Sequence, residues 1–581
     1  MLFSYLNDAI VACEQALQSG TNFGGACLTL GNLLQGMGRF QEAIGWHTRA
    51  LQTPPDSVEV YVHLGELYAQ QQQHPQAIAA YEHALRLNPK SAEAYRGIAN
   101  LYSEMGEPEK EVEYRYQAVL HKPSWATSSN QLVLGNSLLH QGKVGQAIDC
   151  YRRAVHLRED AFEAHYNLAV ALSQQRQWRE AMEAFRQALE HNPDHADSHF
   201  GLGKVAEQVG NVRGAISRYH LAIERNPTSV AAYTALGELF LKLHEWQKAS
   251  PVYHRLAELI PDQSWVYHNL GYTLVNQQRW AEAAGALRRA IELDPDRSWS
   301  HHHLGDALMY LGHWPDASEA FRQAIQLNPS FSWSYHNLAE VLSQLGEWEE
   351  VGEVARQAIG LDQTYPWAYT HLGRSLTHQG NQVEATRCYQ KAAELHGWES
   401  CVVRDYQFTQ DWFSHNIPTL QQYLGSYAHL PGLQFLEIGS FQGMSACWFF
   451  DHILTHPSAR LTCIEPNFQP EFAINVVKAG ITEQLMPIVG NSHEILPTLL
   501  PLAYDVIYID GCHWAFHVER DGVLSWQLLK RGGLMIFDDY HWSDPDYPGQ
   551  DTKIGIDAFL KFMHGQYHLL HCGYQLIIQK I

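Results

Sequence analysis

Paired cysteines, an excess of basic charge and long apolar runs are all missing from this sequence. Its nine cysteines, scattered from Cys13 to Cys572, are odd in number and include no Cys-x-x-Cys pair. That argues against a disulfide framework and for a reducing compartment. Against 62 Asp+Glu stand 40 Lys+Arg, a formal charge of −22; this balance repels a phosphate backbone, so no nucleic-acid partner is expected. No window sustains the roughly 18 apolar residues of a membrane span. The opening MLFSYLNDAIVACEQAL carries acids and polar residues where a signal peptide needs a basic end and an apolar centre. The expectation is a cytoplasmic chain with no membrane span. Histidine, by contrast, is abundant: 34 side chains titrate near neutrality, so mild acid can cancel much of the negative charge. A chain of 581 residues exceeds one core, and at about 150 residues per domain it suggests about two to four units unless repeats intervene.

Repeats do intervene. Leu-Gly or Leu-Ala pairs begin at Leu30, Leu64, Leu134, Leu168, Leu202, Leu236, Leu270, Leu304, Leu338 and Leu372, at a 34-residue step. Ile98 fills the missing slot, the interval after it is two residues longer, and eleven units result. Thirteen residues after most of these leucines stands an alanine such as Ala77 or Ala181. An aromatic (Tyr81, Phe185), another alanine (Ala84, Ala188) and a proline (Pro89, Pro193) follow. Small residues let two helices meet closely, and proline ends the second because it has no N–H to donate. Each unit therefore reads as a helical hairpin. The pattern resembles the tetratricopeptide repeat (TPR) family over residues 1–396. The resemblance implies an all-α superhelical solenoid whose concave groove binds a protein or peptide segment, although a spacer role stays open.

The later repeats add a second pattern. Trp265, Trp299, Trp333 and Trp367 recur at the same step, followed by His268, His302 and His336 and, beside those, Asn269, His303, Asn337 and His371. TPR resemblance puts the first of these positions toward the groove, as a stripe able to stack on aromatic side chains or on a glycan. Packing of the tryptophans between repeats is an equal reading. Metal binding by these histidines is the weaker option, because no closed ligand set is apparent.

The register fails after Ala392, and residues 397–430 read as a junction with docking helices. Residues 431–581 then alternate buried β-branched runs with helical stretches: LQFLEI, ARLTCIE, QLMPIV, YDVIYID and GGLMIF as parallel strands, and QYHLLHCGYQLIIQKI as a closing hairpin. This is an α/β doubly wound, Rossmann-like sheet, whose ligands sit beyond the carboxyl ends of its strands. The loop opening there, Gly439-Ser440-Phe441-Gln442-Gly443, has Phe441 where the dinucleotide fingerprint needs its middle glycine, which counts against NAD. A glycine turn preceded by Glu437, with Glu465 ending the next strand, suits S-adenosylmethionine (SAM), since a carboxylate at Glu465 can accept from two ribose hydroxyls. Further on, Asp510 ends strand four, and Asp538 and Asp539 end strand five. Adjacent strand tips bring these carboxylates together, and converging carboxylates call for a cation such as Mg2+ or another divalent ion. His513, three residues past Asp510, is placed to take a substrate proton.

The set LEIGSFQGMSA, CIEP, VGNSHEILPTL, YIDGCHW and FDDY resembles the class I SAM-dependent methyltransferases, specifically the metal-dependent O-methyltransferases of catechol type, and the lead-in DWFSHNIP resembles a bacterial branch of them. The resemblance implies a SAM site. Its methionine end takes Glu437, Gly439 and Ser445 together with Ser440 and Gly443 of the loop; Glu465 takes the ribose, and Asn491 and Ser492 the adenine. It implies a metal at Asp510, Asp538 and Asp539, with Asp510 also among the SAM-binding residues and His513 and Asp510 as catalytic residues. The catechol enzymes have Lys at the place of His513 and Asn at that of Asp539. Blander readings stay open: Glu437 and Glu465 as turn and helix caps, and the aspartate pair as a cap of the next segment. His513 with His517 has zinc-like spacing but lacks the glutamate of HExxH. The resulting reading is a SAM-dependent methyltransferase acting on a hydroxyl of a small or carrier-bound acceptor, with a TPR recruitment arm. Its alternative is an interaction scaffold carrying an inactive methyltransferase-like domain.

Overall fold

The computed structural model describes residues 10–11, 14–15, 18, 23–52, 57–542 and 549–581. Most of the opening segment, with Cys13, lies outside them. Helical hairpins run from Phe23–Gly36 with Phe40–Ala50 through to Pro366–His378 with Gln382–Leu395, and among the described residues there are eleven. The repeat leucines and alanines explain the pairing. A methyl group added at Gly65 would lie 2.6 Å from the Tyr81 ring, and one at Gly305 would lie 2.6 Å from Phe321. The glycine after most of the repeat leucines is thus the seat of a second-helix ring, although Gly271 takes Leu287, and Ala77 and Ala317 are fully buried in the same seam. The two-residue excess after Ile98 forms a short 3-10 turn, Pro123–Trp125, between the third and fourth hairpins.

The chain divides into two compact units, Met1–Pro261 and Asp262–Ile581. The repeat pattern itself continues to Leu395, so this division falls at a different place from the change in sequence character near residue 396. Within the second unit the junction is not a linker. Trp398, Tyr406, Phe408 and Phe413 are buried in one core with Phe435 of the first strand and Trp448. Asp451 accepts hydrogen bonds from Trp398 Nε1 at 2.8 Å and Ser400 Oγ at 2.7 Å, and pairs with Arg404 at 3.1 Å.

The strands are β1 (Gln434–Ile438), β2 (Arg460–Glu465), β3 (Leu485–Val489), β4 (Tyr504–Ile509), β5 (Leu529–Phe537), β6 (Tyr567–Cys572) and β7 (Leu576–Lys580), in the order β3-β2-β1-β4-β5-β7-β6. β1 to β5 are parallel, β7 runs antiparallel to β5, and β6 antiparallel to β7. Apolar residues point to both faces: Phe435, Val506 and Tyr508 enter one core, Leu436, Ile507 and Ile509 the other. Burial on both faces is why these strands read as continuous apolar runs. The strand order reverses between β1 and β4, and this switch point opens the crevice.

Candidate functional site

Three strand ends converge at the first loop. Gly439 N donates to Ile464 O at 2.9 Å and Asp510 N donates to Ile438 O at 2.8 Å, tying β1 to β2 and β4. Gly439 has φ +87°, and a Cβ there would lie 1.9 Å from the Asp510 carbonyl oxygen. No other residue fits. Phe441 also sits in the left-handed region, at φ +42°, and its ring stacks on Trp412 at 5.2 Å. A strained non-glycine residue of this kind persists only where its surroundings hold it.

Glu437 departs from its expected role at the methionine end. It is completely buried, accepting from Ser440 Oγ at 2.6 Å, from Ser445 Oγ and from Cys463 Sγ at 3.2 Å. Its oxygens are occupied, so it braces the loop from beneath instead of lining the crevice, and Ser440 and Ser445 spend their hydroxyls on it. Burial pushes its pKa up. Glu465, at the tip of β2, accepts the backbone N–H groups of Ser440 and Phe441 at 3.2 Å each and that of Asn467 at 3.0 Å. The carboxylate expected at a ribose thus caps the loop's own donors. Past β3, Asn491 Oδ1 accepts the N–H of His493 at 2.9 Å and starts the turn carrying Ser492. Ser492 hydrogen-bonds Asp521, whose carboxyl is raised to about 6, chiefly by burial.

The carboxylates at the tips of β4 and β5 divide. Ligand atoms of Asp510, His513 and Asp539 all lie within 4.8 Å of one another. His513 Nε2 is 3.1 Å from Asp539 Oδ2 and 3.8 Å from Asp510 Oδ1. Burial, then Asp539, Glu437 and Glu465, raise the Asp510 carboxyl well above the usual range. Asp538 does not join them, against the expectation of a third ligand. It is 5% exposed and turned inward, accepting from Asn416 Nδ2 at 2.8 and 3.1 Å, Gln575 Nε2 at 3.3 Å and the Tyr508 hydroxyl. Asp538 continues the alternation of β5, falling on the face of Ile536, which shares a core with Tyr508, whereas Asp539 has φ +55° and leaves strand geometry. His517 stacks on His493 at 5.1 Å and belongs to none of the metal-capable groups among the described residues. Reading by motif missed Asn416, Tyr508, Gln575 and Tyr574, the last hydrogen-bonded to Asp539. An asparagine within the aromatic lead-in DWFSHNIP was the available signal.

The comparisons with known proteins follow this geometry. A family model described as a methyltransferase domain matches residues 436–540. Tetratricopeptide repeat models match residues 26–57, 65–106, 135–176, 162–195, 200–264, 264–297 and 305–346. The chain carries tetratricopeptide repeats ahead of a methyltransferase domain. A catechol O-methyltransferase of Mycobacterium tuberculosis is 27% identical over 118 residues, 18% of this chain and 52% of the relative. An O-methyltransferase of Aspergillus hancockii is 30% identical over 105 residues, 18% of this chain and 41% of the relative. The chain spans about half the length of the curated relatives it matches. Among solved structures, YrrB, titled a TPR protein with an unusual peptide-binding site, matches at 22% identity over 32% of this chain and 96% of its own, with TM-score 0.30. The MamA protein matches at 22% identity over 29% and 93%, with TM-score 0.28.

In the TPR repeats, the expected stripe separates into two layers. His268 and His302 are 9% and 6% exposed, and their Nδ1 atoms lie 3.0 Å from Ser300 Oγ and Ser334 Oγ of the following repeat. They are inter-repeat connectors, a correction to their assignment as groove ligands. His336 likewise pairs with His371 Nε2 at 2.8 Å, and Asn337 donates to Asp306 at 2.7 Å. Trp299 and Trp333 remain 45% and 51% exposed, whereas Trp265 and Trp367 are half-buried. Asn269 is also half-buried. Trp367 lies 5.4 Å from His415, which lies 5.1 Å from Tyr574. Aromatic contacts therefore run from the last TPR repeat to the methyltransferase carboxylates. Among the described residues no helix is long and apolar enough to cross a membrane.

Proposed function

We propose that this protein is a SAM-dependent O-methyltransferase with a TPR arm that recruits a protein, peptide or glycan. The observation that carries the reading is the strand-tip group itself: ligand atoms of Asp510, His513 and Asp539 lie within 4.8 Å of one another, on the strand end against which the Gly439 turn packs. The loop from Gly439 to Gly443, Glu465, Asn491 and Ser492 would hold SAM, which supplies an already activated methyl group. Asp510 and Asp539 would hold a divalent cation of the Mg2+ class, which lowers the pKa of an acceptor hydroxyl.

The chain's own residues then do the positioning. His513 accepts the hydroxyl proton at Nδ1, and Asp539, 3.1 Å from Nε2, accepts from that nitrogen and stabilises the imidazolium that forms. Asn416, Tyr508 and Gln575 lock Asp538, which fixes the strand tip from which Asp539 projects. The Trp367–His415–Tyr574 contacts support delivery of the acceptor from the repeats to the crevice. Eight free cysteines among the described residues support a reducing, cytoplasmic setting.

Isothermal titration with SAM tests the cofactor. Micromolar binding that is lost in Glu465→Ala is expected; no binding by the wild type would favour the scaffold reading. Methylation assays on whatever the full chain retains from a lysate then test the acceptor, with label in a hydroxyl-derived methyl ether as the expected product.

A further inference from the structure

We infer that the ninth repeat holds a separate cation site, built for a divalent metal of the zinc class from His302, His303 and Asp306. Their ligand atoms lie within 4.8 Å of one another on the single helix Ser298–Tyr310. His302 Nε2 is 3.5 Å and His303 Nδ1 is 3.2 Å from the same oxygen, Asp306 Oδ2. With metal–ligand bonds of about 2.0–2.1 Å, neighbouring ligands around a tetrahedral zinc ion are about 3.4 Å apart. Both measured edges are near that length.

The surroundings aim these atoms. Ser334 Oγ lies 3.0 Å from His302 Nδ1, and Asn337 Nδ2 donates to Asp306 Oδ1 at 2.7 Å, both from the next repeat's first helix, Ser332–Leu345. The other polar atoms of His302 and Asp306 are thereby occupied, leaving His302 Nε2 and Asp306 Oδ2 turned to the shared point, the arrangement that outer partners impose on metal ligands. The sequence supplies an independent argument. One repeat earlier the matching positions are His268, Asn269 and Tyr272, and one repeat later His336, Asn337 and Glu340. The connector histidine recurs, but the second histidine and the aspartate occur together only in the ninth of these three repeats. Three protein ligands leave a fourth position for water or for a donor atom of a bound partner. The exposed Trp299 ring stands 5.8 Å from the His303 ring, beside that position.

The test uses the full chain, stripped with chelator and titrated with Co2+ and then Zn2+. The Asp539→Asn background removes a carboxylate that would hold the crevice cation. One equivalent of Co2+ is expected, with the intense visible band of a four-coordinate ion, displaced by Zn2+. His303→Ala and Asp306→Asn in that background should each abolish the band and weaken binding by more than roughly 100-fold. Asn337→Ala should weaken it by roughly 10- to 100-fold, as loss of an outer partner does. Helical circular dichroism establishes that each variant is folded. A band that persists in folded His303→Ala, or no four-coordinate Co2+ in the Asp539→Asn background, would overturn the site and leave carboxylate–imidazole hydrogen bonds in its place.

Discussion

The last TPR repeats and the methyltransferase crevice use the same side chains to opposite ends. In the repeats, buried His268 is met by a serine hydroxyl 32 residues further along the chain, and its backbone is regular helix. In the crevice His513 stays about one-third exposed, facing two carboxylates, and the residues around it hold left-handed backbone at Gly439, Phe441 and Asp539. A repeat cannot bury its own apolar face, so its polar groups are settled by the neighbour that covers it. The crevice instead keeps partly exposed ionisable groups beside strained backbone, and such strain collects at functional sites.

One substitution made in both regions separates them most sharply. Gly439→Ala meets backbone at 1.9 Å and an unfavourable φ, whereas Gly305→Ala meets only the Phe321 ring. The crevice change is expected to cost about 2–5 kcal/mol locally and to abolish SAM binding in titration calorimetry. The repeat change is expected to cost about 1–3 kcal/mol in thermal unfolding and to leave SAM affinity unaltered. Equal SAM affinity in the two variants would remove the loop from the cofactor site.

The neighbouring aspartates divide the crevice itself. Asp538→Asn disturbs buried hydrogen bonds to Asn416 and Tyr508 and should cost about 1–3 kcal/mol of stability. Asp539→Asn keeps a residue that tolerates φ +55°. It should unfold within about 0.5 kcal/mol of the wild type while losing most methyl transfer and divalent-cation binding. Calorimetric scans beside metal titrations check both, and the opposite assignment would make Asp538 the ligand.

Acid should act on the repeats through their neutral histidines. Burial, then Arg297 and His303, push His268 down to about 3; burial and Arg374 push His336 down to about 4 against the opposing pull of Glu340. An unfolded histidine takes a proton near its ordinary pKa and these folded ones do not. Their stabilisation is therefore complete above about pH 6.5 and falls as pH drops toward the folded values, by up to roughly 1.4 kcal/mol per pH unit for each. Thermal unfolding between pH 7 and 5 should show this loss, and His268→Asn should flatten it. An unchanged slope would remove His268 from the account.

What sequence could and could not convey follows the same divide. Eleven hairpins were legible because most of them repeat the leucine, alanine and proline, and the extra pair of residues after Ile98 surfaces as the turn Pro123–Trp125. The strands were legible because they are buried on both faces. The parting of Asp538 from Asp539 was not: alternation along β5 puts Asp538 on the buried face of Ile536, but the φ +55° of Asp539 is specified by no pattern of residue types. Nor was the burial of His302, although its partner Ser334 recurs in phase with Ser300, two residues before the next repeat's histidine. A periodic polar residue beside a periodic histidine is a sign of internal pairing.

The smallest expected effect on stability falls on the outer layer of the stripe. Trp333 is half-exposed and its ring contact is an edge-on approach to His336 at 5.6 Å, while Trp299 also packs on Phe331 at 4.3 Å. Trp333→Ala should therefore change unfolding by about 0.5 kcal/mol or less. If the repeats recruit through this face, the same change should weaken retention of the bound partner by 2 kcal/mol or more, about 30-fold, because exposed aromatics dominate binding where they are desolvated. Binding by the full chain, measured beside its melting curve, separates the two roles. Retention that is unaffected while stability falls would make Trp333 a packing residue, and the repeats would then differ from the crevice in having no ligand-facing layer at this position.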